Sequence, residues 1–148
     1  MAEKNKAALM QEYVEKVFNK DVEIFEISDA NDELKTKILR SRISAEGQNL
    51  PMAIFVDNTI YTMIRVQVAE GVVKESNQAK VVEYLNEQNR LYKVFKYYVD
   101  DQGSIYLDAC IPGLDDETFK PELVHVVLDV IVEHLTENYA PLMKKVWA

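Results

Sequence analysis

The side chains with chemistry to offer are few: two histidines, one cysteine and several carboxylate clusters. His125 and His134 lie nine residues apart on one predicted helix, about 180° from each other around its axis. They cannot bind one metal together. His125 and Asp129 have the i, i+4 spacing of a hydrogen-bonded pair, but a solvated polar stripe with Glu133 explains them more simply. Cys110 stands on a predicted strand with no histidine beside it in register. It reads as a small apolar side chain rather than a catalytic thiol. The runs Asp29-Ala30-Asn31-Asp32-Glu33 and Asp115-Asp116-Glu117 could offer oxygens to Ca²⁺ or Mg²⁺. Neither has the alternating acids and sixth-position glycine of a twelve-residue calcium loop, and turn and cap roles account for both. No glycine-rich phosphate loop, nucleophile elbow or paired histidine ligand set is present. The expectation is a non-enzymatic protein with no metal and no cofactor.

Composition points to one compact unit, residues 1–148. The chain has 148 residues, 48% of them hydrophobic, with only 4 glycines and 4 prolines, which suits a single packed core. Net charge is −8, so phosphate backbones are repelled and nucleic-acid binding is not expected. The cations Lys35, Lys37, Arg40 and Arg42 read as solvated charges on an edge strand. No apolar run approaches the roughly 20 residues that span a bilayer, so no membrane role is expected. A single cysteine gives no intrachain disulfide framework. With no signal-peptide pattern in MAEKNKAALM, a bacterial-type cytoplasm is the expected setting.

The elements that must position these residues follow from periodicity. Ala7, Met10, Tyr13, Val14, Val17 and Phe18 predict an amphipathic helix over about residues 5–19. Strands are predicted over Val22–Ile27 and Leu34–Ala45, and a two-stranded hairpin reaches Val68. A helix with Ser76 as N-cap spans about residues 76–91 and precedes a second hairpin. The last helix runs from Pro121 to about Asn138, apolar around most of its girth, with Pro141 expected to kink or end it. The order is α-β-β-β-β-α-β-β-α, an α+β fold with an antiparallel sheet.

Both hairpins are expected to be apolar on both faces. Asp57-Asn58 has two-residue turn chemistry and would pair Val56 with Thr59. One face would then hold Ala53, Phe55, Ile60, Thr62, Ile64, Val66 and Val68. The other would hold Met52, Ile54, Val56, Tyr61, Met63, Arg65 and Gln67. In the second hairpin, Asp101-Gln102-Gly103 closes a loop that pairs Asp100 with Ser104. Leu91, Phe95, Tyr97 and Val99 share a core face with Ile105, Leu107, Ala109 and Ile111. Tyr92, Val94, Tyr98, Tyr106 and Cys110 share the other, with Lys96 opposite Asp108. The chain's own helices could cover both faces, or one face could serve as a binding surface.

Residues 84–111, YLNEQNRLYKVFKYYVDDQGSIYLDACI, carry a family resemblance. Asn86 and Asn89 end a helix, a strand with Phe95 and further aromatics follows, and an acidic-glycine turn leads into a second alternating strand. The stretch resembles the YbjN family of bacterial sensory-transduction regulators, with the likeness extending over roughly residues 20–140. The resemblance implies a type III secretion chaperone-like fold, whose members dimerise and bind extended client segments. It supplies no catalytic set. Asn86 and Asn89 match its motif and read as structural, satisfying backbone groups where helix gives way to strand.

The function expected is therefore a chaperone-like adaptor or regulator in bacterial signalling or stress response, that binds a protein partner or a second copy of itself, with a homodimer as the expected assembly. Candidate contact residues are Met52, Ile54, Tyr61, Met63, Tyr92, Tyr98 and Tyr106, because methionine repacks easily and tyrosine combines area with a hydrogen bond. Three alternatives stand beside it: a homodimeric domain without a client, a small-ligand sensor, and a carboxylate-dependent metal hydrolase.

Overall fold

Strand pairing sets the architecture. A computed structural model describes residues 5–17, 25–114 and 116–148. The elements are α1 (Lys6–Val17), β1 (Glu26–Asp29), β2 (Lys37–Ala45), β3 (Gln48–Val56), β4 (Tyr61–Ala69), α2 (Gln78–Leu91), β5 (Lys96–Val99), β6 (Ile105–Pro112) and α3 (Pro121–Trp147). This is the expected α-β-β-β-β-α-β-β-α order. All strand pairs are antiparallel, in one six-stranded sheet ordered β1-β2-β3-β4-β6-β5. The expected helix at residues 5–19 and strand from Val22 fall partly outside the described residues.

Turn chemistry explains the registers. Glu46 and Gly47, with φ of 50° and 77°, form the two-residue connection that pairs Ala45 with Gln48. The second hairpin closes as expected. Gly103 has φ +77°, Asp100 N donates to Ser104 O, and Lys96, Tyr97 and Tyr98 pair with Asp108, Leu107 and Tyr106. Leu91, however, ends α2 and is exposed rather than joining the strand face.

The first hairpin departs from expectation. Val56 pairs with Thr62, not Thr59, so the connection is wider than two residues. The Asp57 carboxylate accepts from Thr59 N and Thr59 Oγ1, and Thr59 Oγ1 accepts from Tyr61 N. The buried Lys6 Nζ donates to the carbonyls of Thr59 and Tyr61 at 2.7 and 3.2 Å and to Thr62 Oγ1 at 3.5 Å. These bonds hold an open loop that a tight turn would not allow. The offset is odd, so every β4 side chain lies on the opposite face, relative to β3, from the one expected.

The core lies between the sheet and the three helices. Met52, Ile54 and Val56 of β3 join Ile64 and Val66 of β4 and Ile105 and Leu107 of β6. Met10 and Val14 of α1, Val81 and Leu85 of α2, and Val124, Leu128, Ile131 and Leu135 of α3 pack onto them. Helix α3 continues through Pro141 to Trp147, beyond the expected end. The proline removes one backbone bond, but Leu142 and Val146 bury beyond it and Asn77 Nδ2 donates to Val146 O at 3.0 Å. Asn77, not Ser76, therefore marks the start of α2. Its side chain also accepts from Lys74 N and donates to Val72 O.

Candidate functional site on the open sheet face

Registers across all six strands place three lateral rows of side chains on the face away from the helices. The middle row is Glu26, Arg40, Ala53, Arg65, Asp108 and Lys96, in strand order. On one side lies Ser28, Ile38, Phe55, Met63 and Cys110. On the other, Arg42 stands beside Pro51, and Gln67 beside Tyr106 and Tyr98. Each of these side chains is half-buried or exposed, and among the described residues no helix packs over them. On a chain of net charge −8, this face carries four cations against two carboxylates.

Arg65 organises the centre. Its Nε and Nη2 donate to the two Asp108 oxygens at 3.0 and 2.9 Å, a planar fork matched to a carboxylate. The guanidinium lies 5.8 to 6.0 Å from the ring centroids of Phe55, Tyr98 and Tyr106. Tyr98 and Tyr106 stack on each other with centroids 5.4 Å apart. Hydrogen bonding to Asp108 raises the Arg65 pKa, and burial beside Asp108 raises that of Tyr98. Arg65 thus stays a fixed cation on an aromatic platform. Beside it runs a groove of about 760 Å³, lined among others by Ala53, Pro51, Arg40, Arg42, Gln67 and Tyr106.

The expected contact residues divide between faces. Tyr61, Met63, Tyr98 and Tyr106 share the open face, with Tyr98 and Tyr106 side by side and Tyr61 at the far end of β4. Met52 and Ile54 do not: the odd offset of the first hairpin puts both in the helix-covered core, 4% and 0% exposed. Tyr92 is also on the helix side, stacked on Phe95 at 4.9 Å and edge-on to His134 at 4.5 Å. The expected Lys96–Asp108 charge pair is replaced. Asp108 takes Arg65, while Lys96 Nζ donates to the Asn89 and Tyr92 carbonyls at the end of α2. Lys37 and Arg40 lie on an inner strand rather than an edge, since Asp29 and Glu26 of β1 pair beside them. Sequence reading missed Arg65 beside Ala53 and Phe55 because of the odd hairpin offset, and missed Arg65 beside Asp108 because β4 pairs with β6 across a long stretch of sequence.

Asn89 Oδ1 accepts from Tyr97 N at 2.7 Å and its Nδ2 donates to Tyr97 O at 3.2 Å. Its amide completes the outer edge of β5 much as another strand would. Asn86 is exposed on α2. The histidines occupy separate places. His125 Nδ1 meets the Tyr13 hydroxyl at 2.7 Å and its Nε2 lies 3.6 Å from Asp129, linking α1 to α3. His134 is buried against the Tyr97 hydroxyl at 2.7 Å, and burial lowers its pKa to about 4. Burial raises the Cys110 pKa. Among the described residues no group of three or more His, Cys, Asp or Glu could hold a metal ion, and no helix is long and apolar enough to cross a membrane.

Compared with known families and with curated proteins, the sequence matches none.

Proposed function

We propose that this chain is a non-enzymatic protein-binding adaptor whose contact surface is the open face of its sheet. The observation that carries this reading is the platform of Phe55, Met63, Tyr98 and Tyr106 around Arg65, which the described helices leave uncovered. Aromatic, methionine and arginine side chains are the types enriched where proteins meet. They are held by strands rather than loops, so little order must be gained on binding. The resemblance to the YbjN family and its chaperone-like relatives agrees with a binding role, in a bacterial regulatory setting. A cytoplasmic location belongs to the same reading.

The test is a photo-reactive benzoylphenylalanine placed at Tyr98 in the full chain, irradiated in the producing cell. A control carries it at Val126, an exposed residue on the outer side of α3. The expected result is a protein adduct at position 98 that position 126 does not give. No adduct at 98 above the control would overturn the reading.

A further inference from the structure

The middle row of the open face is self-complementary. Read from β1 to β5 it runs Glu26 (negative), Arg40 (positive), Ala53 (small), Arg65 (large, positive), Asp108 (negative) and Lys96 (positive). Reversing the row sets each residue against its complement: Glu26 meets Lys96, Arg40 meets Asp108, and Ala53 meets Arg65. A two-fold axis parallel to the strands, lying between β3 and β4, performs this reversal when two sheets stack face to face.

We infer that the occupant of the open face is a second copy of this chain, docked about that axis. The inference rests on the reading of this face as a protein-binding surface. The same rotation also matches the flanking rows. Phe55 faces Met63 of the partner copy and Ile38 faces Cys110, both apolar pairs, while Arg42 faces the Tyr106 ring. Shape agrees as well. The groove is lined by the short side chains of Ala53 and Pro51 on β3 and by the longer ones of Arg65 and Gln67 on β4. The rotation sets the long β4 side chains of each copy over the short β3 side chains of the other.

The Arg65–Asp108 pair does not prevent the contact. A carboxylate accepts at about four positions, so Asp108 can hold Arg65 and still take an arginine from across the interface. Arg40 has five N–H donors, and Ser28 receives one of them at 3.0 Å. Stacked sheets keep their strands within about 30°, which displaces the outermost pairs most. Those pairs are Glu26 and Lys96, and because the Lys96 ammonium already donates to the Asn89 and Tyr92 carbonyls, the central pairs carry the contact. Six strands of these lengths, about 4.8 Å apart, give a face of roughly 700 Å², close to one partner's share of a standard interface.

The test is mass in solution, by light scattering after gel filtration of the full chain. The wild type is expected at twice the chain mass. R40D and D108R alone set like charges opposite each other and are expected at the chain mass. Mixed in equal amounts they restore both opposite-charge pairs and should return to twice that mass. A53R, which fills the groove from its solvent side, should run at the chain mass with an unchanged circular dichroism spectrum. It decides the matter with R40D if D108R does not fold. A wild type at the chain mass up to about 1 mM would overturn the inference, as would an A53R protein that stays double. A wild-type monomer that still crosslinks another protein at position 98 would overturn the second copy alone and keep the binding face.

Discussion

Arg65 and Asp108, on strands 43 residues apart in sequence, are joined by two parallel hydrogen bonds of 3.0 and 2.9 Å in the middle of an uncovered sheet face. The pair fixes the rings of Phe55, Tyr98 and Tyr106 around a single guanidinium. Because the Arg65 side chain is 40% exposed and that of Asp108 is 19%, solvent screens part of the attraction. R65A is expected to lower stability by about 1 kcal/mol after that discount. R65K keeps the charge but not the fork, so most of the loss should persist. Urea unfolding of the two variants checks this.

Asn89 makes a second prediction. Removing its amide leaves Tyr97 N and O at the sheet edge without their partner. N89A should cost about 1–3 kcal/mol, whereas N86A, on the exposed side of α2, should stay within about 0.5 kcal/mol. Equal losses in thermal unfolding would contradict a structural role specific to Asn89.

Glycines separate in the same way. A Cβ at Gly103, where φ is +77°, would sit 2.3 Å from Val73 O, a backbone atom that cannot move aside. Gly47 has the same φ with nothing within 4 Å. G47A should therefore cost about 1–2 kcal/mol, the left-handed backbone alone. G103A should cost clearly more, because the clash adds to the same strain. Chemical denaturation of the pair gives the difference directly.

The difference between the hairpins shows what was legible in the sequence. Gly103 demands a positive φ, so the second register could be read from its closing loop, and Tyr98 and Tyr106 were placed on the outer face correctly. Asp57-Asn58 looked like a two-residue turn, yet its geometry depends on Lys6, some 50 residues away, drawing the Thr59 and Tyr61 carbonyls inward. That long-range bond is invisible to local pattern, and its odd offset carried Met52 and Ile54 to the wrong face. Pro141 is similar. The local rule ends a helix there, and burial of Leu142 and Val146 overrides it. The element order survived because it rests on periodicity, which is local.

His134 predicts a pH dependence. Burial lowers its folded-state pKa to about 4, below the ordinary 6.5. Between those values the unfolded chain holds a proton that the folded one does not. Stability therefore rises with pH across this window, and is lost as pH falls from about 6.5 toward 4. The full effect is roughly 3 kcal/mol at 1.36 kcal/mol per pKa unit. H134Q, which can still reach the Tyr97 hydroxyl, should lose this slope while keeping the slope due to carboxylates. Denaturation midpoints of both proteins between pH 4 and 7 measure it.

The most direct test of the central claim is the solvent accessibility of the Met63 methyl. In methionine-methyl NMR with a soluble nitroxide, Met52, 4% exposed on the core face, serves as the internal standard. At high dilution, where the face stands free, the Met63 signal is predicted to broaden strongly while Met52 does not. With the partner bound, Met63 should become as protected as Met52. A Met63 methyl protected at a dilution where light scattering gives the chain mass would mean that the chain covers this face itself, and the binding surface argued for it would not exist.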